Sequence, residues 1–93
     1  MKVIGKKRLD NFCSKYSDVR SQVASWLYEA EEARWDTPSD IKERYIHASF
    51  LSSNHVIFNL KGNKYRLEVK INYKRQTVIV KRIGTHSDYD RWG

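Results

Sequence analysis

Residues 64–73, which read KYRLEVKINY, alternate between apolar and polar side chains without a break. This two-residue period is typical of a β-strand with one buried face and one face open to solvent. The apolar set would enter a core, and the polar set would form a basic face that suits phosphate. That polar set is Lys64, Arg66, Glu68, Lys70 and Asn72.

Two further strands flank this segment. Residues 56–60 are strand-like, and the Lys-Gly-Asn sequence at 61–63 is typical of a hairpin turn. The next turn is predicted at residues 74–75 and the last strand at 77–83, with Ile79 and Ile83 on the open face. This hairpin predicts the pairs Ile71–Val78, Val69–Val80 and Glu68–Lys81.

Helical patterns fill the first half of the chain, after a short strand near residue 3. Apolar residues recur at helical spacing over 9–16 and over 19–33, and Ser17-Asp18 is the predicted cap of the second helix. Thr37 and Asp40 predict a capping box for a short helix through about residue 45. Residues 46–54 look irregular. We therefore predict one α+β domain over 1–93, ordered β-α-α-(α)-β-β-β. Its two N-terminal helices pack on one face of a small, mainly antiparallel sheet.

Charge and composition narrow the functional classes. The net charge is +7, and residues 55–93 carry nine Lys or Arg against three Asp or Glu, which favours a polyanionic partner such as nucleic acid. The single cysteine, Cys13, excludes an internal disulfide and fits a cytoplasmic protein. No apolar run approaches the roughly 20 residues of a membrane span, and we expect no membrane association and no signal peptide.

Two residues near the carboxyl end could transfer protons. His86 follows the last predicted strand, and Tyr89 would share its face if the segment is helical. RNA cleavage by a 2′-hydroxyl needs a base, an acid and fixed cations, and it needs no metal. The three histidines are far apart in sequence, so a metal site is not predicted. From residues alone, the chain could be a nuclease, a non-catalytic RNA-binding module or a protein-interaction domain.

Two motifs carry a resemblance to a known family. The pattern F-N-x-x-G-N-x-x-R at residues 58–66 and the pattern T-H-x-x-Y-D at 85–90 resemble HigB-type toxins of the RelE superfamily. The likeness covers nearly the whole chain, including the segment 35–42. It implies a RelE-like fold and the toxin half of a type II toxin–antitoxin pair. Such toxins are ribosome-dependent endoribonucleases that cut mRNA in the A site without a metal or other cofactor.

The resemblance also implies partners and residue roles. The antitoxin would be a helix-turn-helix protein of the HigA type. Arg66 would clamp the scissile phosphate, Lys81 would help to hold the backbone, and His86 and Tyr89 would transfer protons. Which residue is the base stays open, since Glu68 is an alternative, although a salt bridge from Glu68 to Lys81 is the expected role. The predicted RNA-binding residues are Lys64, Lys70, Arg75, Arg82 and Asn63.

Overall fold

The computed structural model describes residues 1–92 and contains four helices and five strands. The helices are α1 (Lys6–Lys15), α2 (Arg20–Glu32), α3 (Pro38–Arg44) and α4 (His86–Asp90). The strands are β1 (Lys2–Ile4), β2 (Ser49–Phe50), β3 (His55–Leu60), β4 (Tyr65–Asn72) and β5 (Thr77–Thr85). No helix within the described part is long and apolar enough to cross a membrane.

All five strands belong to one mixed sheet in the order β1-β5-β4-β3-β2. The β1–β5 pair is parallel, and the three other pairs are antiparallel. The first two helices bury apolar side chains in the core that the sheet builds, Leu9 and Cys13 from α1 and Val23 and Trp26 from α2. The α+β prediction, with two N-terminal helices on one face, is confirmed. The segment predicted to be irregular contributes the two-residue edge strand β2.

Phe58 on β3 lies at the centre of an aromatic cluster. Its ring centroid is 5.4 Å from that of Trp26, 5.0 Å from that of Tyr45 and 6.4 Å from that of Trp35. Aromatic pairs at these separations add to the free energy gained from burial alone. The cluster joins α2, the end of α3 and the sheet, and it fixes the loop after α3 beside β3.

The predicted capping box at the start of α3 is confirmed. The Thr37 hydroxyl accepts a hydrogen bond from the Asp40 backbone N–H at 3.4 Å, and the Asp40 carboxylate accepts one from the Thr37 N–H at 3.1 Å. This reciprocal pair satisfies backbone donors that a helix start leaves without partners. The loop that leads into the short helix is thereby fixed.

Ser17 does not cap α2, and neither does Asp18, contrary to the prediction. Its carboxylate accepts hydrogen bonds from the Lys64 ammonium at 2.8 Å and from the Tyr65 hydroxyl at 2.6 Å. These bonds lower the pKa of Asp18. The carboxylate therefore ties the turn between α1 and α2 to the start of β4, a contact that local sequence could not reveal.

The predicted β4–β5 register is right near the turn and wrong beyond it. Val69 pairs with Val80 as predicted, but a bulge follows, and Glu68 pairs with Arg82 rather than with Lys81. Lys81 is the extra residue on β5. A bulge leaves one residue of the longer strand without a partner and shifts everything beyond it.

The bulge also moves Ile83 to the other side of the sheet. Ile83 pairs with Leu67 and packs against the core, whereas the sequence had placed it on the open face. Ile79, before the bulge, pairs with Lys70 as expected. The residue opposite Arg66 is consequently Gly84, which has no side chain to fill the space above the sheet.

Candidate active site on the second sheet face

The sheet face opposite α1 and α2 is partly covered by α4. A Cβ atom on Gly84 would lie 2.8 Å from the Asp88 Cβ and 2.9 Å from the Trp92 Cζ2, so helix and tryptophan rest directly on the backbone of β5. Arg66 and Glu68 below them are only 8% and 6% exposed. The prediction that this face is open to solvent is therefore wrong at these two positions. The face is a partly closed site.

A capping box fixes the start of α4. The Thr85 hydroxyl accepts from the Asp88 N–H at 3.1 Å, and the Asp88 carboxylate accepts from the Thr85 N–H at 2.9 Å. The bond from the Thr85 backbone is the main cause of a lowered pKa for Asp88. The threonine of the T-H-x-x-Y-D motif thus has a structural role: it turns the chain from β5 back across the sheet.

Arg66 is the buried cation of this site. Its Nη1 donates a hydrogen bond to the Asn63 backbone oxygen at 2.6 Å, and its guanidinium carbon lies 4.9 Å from the centre of the Tyr89 ring. No carboxylate among residues 1–92 forms an ion pair with it. A buried charge is normally paired, because desolvation is costly. Arg66 therefore holds a positive charge that a phosphate could neutralise.

Glu68 is held from both sides. Its carboxylate accepts from His55 Nδ1 at 2.7 Å and from Arg82 Nε at 3.0 Å. Burial raises the pKa of Glu68, but the bonds from His55 and Arg82 outweigh that effect and leave the pKa below its usual value. The Arg82 guanidinium lies 4.4 Å from the centre of the Trp92 ring. The expected salt bridge exists, but its cation is Arg82, and Lys81 has no part in it.

His86 and Tyr89 occupy one turn of α4. The backbone N–H of His86 donates a hydrogen bond to the Lys64 backbone oxygen at 2.8 Å, and this bond extends the β4–β5 ladder into the start of the helix. Its side chain is 55% exposed, and Nε2 lies 3.5 Å from the Asp90 carboxylate. Within residues 1–92 the imidazole makes no hydrogen bond to Arg66 or Tyr89. The structure therefore brings Tyr89 onto Arg66 directly and leaves His86 at the solvent edge of the same helix turn.

The sequence profile of the HigB_toxin family, described as the RelE-like toxic component of a toxin-antitoxin system, matches residues 19–92. The chain belongs to this family. The mixed sheet with four helices is consistent with the RelE-like toxin fold. A search of curated proteins gave no match. All the site residues described above lie inside the matched range. Membership of a toxin family implies an antitoxin partner.

The remaining predicted phosphate contacts of this HigB-family toxin are dispersed. Lys81 is exposed on the bulge, and within residues 1–92 its ammonium makes no ion pair. Lys64 points to Asp18 instead of to Arg66. Lys70 is exposed on the same face as Arg66, four residues along β4, which is roughly 13 Å in an extended strand.

Arg75 and Asn63 mark opposite ends of β4. Arg75 lies in the β4–β5 turn, more than six residues beyond Arg66 and hence roughly 20 Å or more from it. Asn63 lies in the β3–β4 turn, where its backbone oxygen holds Arg66. Arg82 is the one predicted RNA-binding cation that the structure joins to the buried part of the site, through Glu68.

Sequence reasoning missed His55 and Trp92. It considered His55 only as a metal ligand, although the β3–β4 register places that residue opposite Lys70 and one step from Glu68 on the same face. No sequence pattern marks Trp92 as a site residue, because only the path of α4 back across the sheet brings its ring over Arg82. No group of three or more His, Cys, Asp or Glu side chains within the described residues could hold a metal ion.

Proposed function

We propose that this toxin is an endoribonuclease that cuts mRNA in the ribosomal A site in the cytoplasm, with no metal in the chemical step. The observation that carries the proposal is the buried guanidinium of Arg66, which no carboxylate of residues 1–92 neutralises. A fixed, desolvated cation stabilises the charge that develops on phosphorus better than a solvated one, since it needs no reorganisation during the reaction.

The chemistry would use the RNA's own 2′-hydroxyl. That oxygen loses its proton to a base and attacks phosphorus, the P–O5′ bond breaks, and the leaving 5′-oxygen takes a proton from an acid. The products are a 2′,3′-cyclic phosphate and a 5′-hydroxyl. Arg66 would hold the non-bridging oxygens with its planar fork. His86 and Tyr89 would transfer the two protons, and the Arg66 guanidinium carbon lies 4.9 Å from the centre of the Tyr89 ring.

Glu68 is better suited to positioning than to proton transfer. Both of its carboxylate oxygens have donors, and its low pKa makes it a weak base. In the proposed mechanism Glu68 orients Arg82 and neutralises its charge, so that Arg66 is the buried cation that remains for the substrate. The bulge presents Lys81 to solvent beside this pair, where it would contact the RNA backbone. Lys70 and Arg75 would contact RNA farther along the same hairpin.

The antitoxin in this proposal is a helix-turn-helix protein of the HigA type. Production of the toxin alone would then stop growth by stopping translation, and the antitoxin would restore both. We expect Lys64 to contribute less to RNA binding than its sequence position predicts, because Asp18 already neutralises its charge.

The decisive experiment compares single-site variants produced without antitoxin in bacterial cells. Arg66→Ala and His86→Ala are expected to abolish growth arrest and to reduce mRNA cleavage by roughly 100-fold or more, the usual cost of losing an oxyanion donor or a general acid. Arg34→Ala is the matched control, because the Arg34 side chain is 76% exposed and lies outside the sheet. Circular dichroism and thermal unfolding check that each variant folds.

Two outcomes would refute the proposal. Full toxicity of folded Arg66→Ala and His86→Ala would show that the site lies elsewhere. Growth arrest by the wild type without new 5′ ends on translated messages would instead indicate a non-catalytic RNA- or ribosome-binding toxin. Steep salt dependence of RNA binding would then be expected, since counterion release drives such binding.

A further inference from the structure

A cavity opens near Arg66, on the side of the β3–β4 hairpin away from α4. It is a cleft of about 600 Å³ between the loop that follows α3 and the β3–β4 hairpin. This size falls in the range of small-molecule sites. Its lining combines aromatic and aliphatic side chains with two amides and an imidazole, drawn from segments 44–48, 58–59 and 62–63.

The cleft and the phosphate site share parts of one hairpin. Asn59 lines the cleft and pairs with Arg66 across the β3–β4 ladder. Asn63 lines the cleft too, and its backbone oxygen accepts the hydrogen bond that holds the Arg66 guanidinium at 2.6 Å. Directly paired residues have Cα atoms only about 5 Å apart. A ligand with its phosphate on Arg66 would therefore have its adjacent group at the mouth of the cleft.

The polar groups of the cleft are neutral and not saturated. Asn59 Nδ2 donates to the His47 backbone oxygen at 3.3 Å, which leaves its Oδ1 without a partner among residues 1–92. The Asn63 amide makes no hydrogen bond within the described chain. An asparagine amide offers one donor and one acceptor side by side, which is the pattern that pairs with the edge of a nucleobase.

The apolar part of the cleft suits a flat ring. Phe58 is buried at the base of the cleft, and the half-buried Tyr45 ring packs against it with centroids 5.0 Å apart and planes at 80°, so Tyr45 is the aromatic ring that the cleft exposes. His47 is exposed at the same cavity. Proteins that read single-stranded RNA place unstacked bases on aromatic rings and bond their edges to side chains.

Charge argues against an acidic occupant. Among residues 1–92, the one permanently charged side chain in the lining is that of Arg44, and Glu29 accepts a hydrogen bond from it at 2.6 Å, so its charge is already neutralised. A phosphate or an acidic peptide would find no free cation there, whereas Arg66 next to the cleft has one. The division into a cationic site and a neutral, amide-bearing site matches the phosphate and the base of one nucleotide.

We infer that this cleft is a nucleobase pocket, and that Asn63 and Asn59 read the base next to the phosphate held by Arg66. The inference rests on the proposed function, because it names the part of the RNA substrate that sets sequence preference. Asn63 would select a base that offers a donor and an acceptor on one edge. The loop after α3 would form the wall against which that base lies.

The first test maps cut sites on translated mRNA by sequencing 5′ ends. Asn63→Asp converts the donor into an acceptor, so the base preference beside the cut should shift by roughly 10-fold or more toward bases that present an amino group. Asn11→Asp on α1 makes the same change of charge at an exposed position and should leave the preference unchanged. Equal preferences in the two variants would overturn the inference while leaving the nuclease function intact.

The second test does not depend on cleavage. Nucleoside 5′-monophosphates are added to the isotopically labelled toxin, and ribose 5-phosphate serves as the probe without a base. The inference expects base-dependent NMR shifts at residues 44–48 and 58–63 that ribose 5-phosphate does not produce. Identical shifts with both probes, or shifts confined to Arg66 and α4, would overturn it. An Asn63 variant that changes neutralisation by the antitoxin, but neither base preference nor nucleotide shifts, would also overturn it.

Discussion

The most informative single perturbation is the addition of one methyl group at Gly84. A Cβ added at this position would lie 2.8 Å from the Asp88 Cβ and 2.9 Å from the Trp92 Cζ2. Carbon atoms pack best at about 3.5–4.0 Å. Relief of both contacts in Gly84→Ala therefore requires α4 and Trp92 to retreat by about 0.7–1 Å, because the backbone of β5 is held by its ladder.

Two effects set the change in stability. Overpacking typically costs about 1–3 kcal/mol, and the loss of glycine flexibility in the unfolded chain returns about 0.4–1 kcal/mol. The net loss should be roughly 1–2 kcal/mol. Activity should fall by more than this loss of stability would cause, because Tyr89 moves with α4. A displacement of about 1 Å at a reacting group can cost roughly 100-fold in rate.

Cell-free translation and hydrogen exchange together measure these effects. The toxin concentration that halves translation should rise by roughly 100-fold for Gly84→Ala, and the amides of α4 should exchange faster. Val23→Ala is the matched control. It removes buried methyl groups from α2, on the other face of the sheet, and should cost roughly 2 kcal/mol with little change in α4 exchange or in inhibition.

Comparison of the two variants separates instability from displacement. Equal loss of inhibition in Val23→Ala and Gly84→Ala would mean that global stability, and not the position of α4, controls activity. Wild-type inhibition and wild-type α4 exchange in Gly84→Ala would refute the reasoning itself. Either result would show that α4 does not depend on contact with the bare backbone of β5.

Three further variants test other parts of the site. The pKa of Glu68 is lower in the folded protein than in the unfolded chain. Its ion pairs therefore stabilise the protein above about pH 4, and this stabilisation is lost as the pH falls. In denaturant titrations, Glu68→Gln should lose less stability than the wild type between about pH 5 and 3. Thr85→Ala removes the cap of α4 and should cost about 1 kcal/mol, with faster amide exchange in that helix alone. Deletion of Lys81 removes only the extra residue of the bulge, so the protein should still fold by circular dichroism and should inhibit translation less than the wild type.

The fold could be predicted because patterns of only a few residues indicate most of its helices and strands. The alternation at 64–73 predicted β4, and Thr37 with Asp40 predicted the cap of α3. The register failed at a specific point. Nothing in the sequence around Lys81 marks a bulge, since no glycine or proline interrupts the strand there, and the choice is made by the packing of both sheet faces.

The site was harder to predict because burial of charge is a tertiary property. The two motifs singled out Arg66 and Tyr89, and the structure brings these side chains into contact. Their roles in cleavage stay predictions. Local sequence patterns could not show that Arg66 is covered, or that Asp18 draws Lys64 away from the basic face. Both effects depend on residues far apart in the chain.

The bulge at Lys81 links the main features of the second face. In the register predicted from the sequence, which has no bulge, Glu68 would face Lys81 and Arg66 would face Ile83. With the bulge, Glu68 pairs with Arg82, and Arg66 pairs with Gly84. The first change gives the buried carboxylate a guanidinium partner, and the second leaves space above Arg66 into which α4 can fold. The bulge thus determines that Glu68 neutralises Arg82, and that Tyr89 covers Arg66, whose charge has no carboxylate partner within residues 1–92. A net charge of +7 spread over the surface would attract RNA, but only this local arrangement distinguishes one guanidinium from the others.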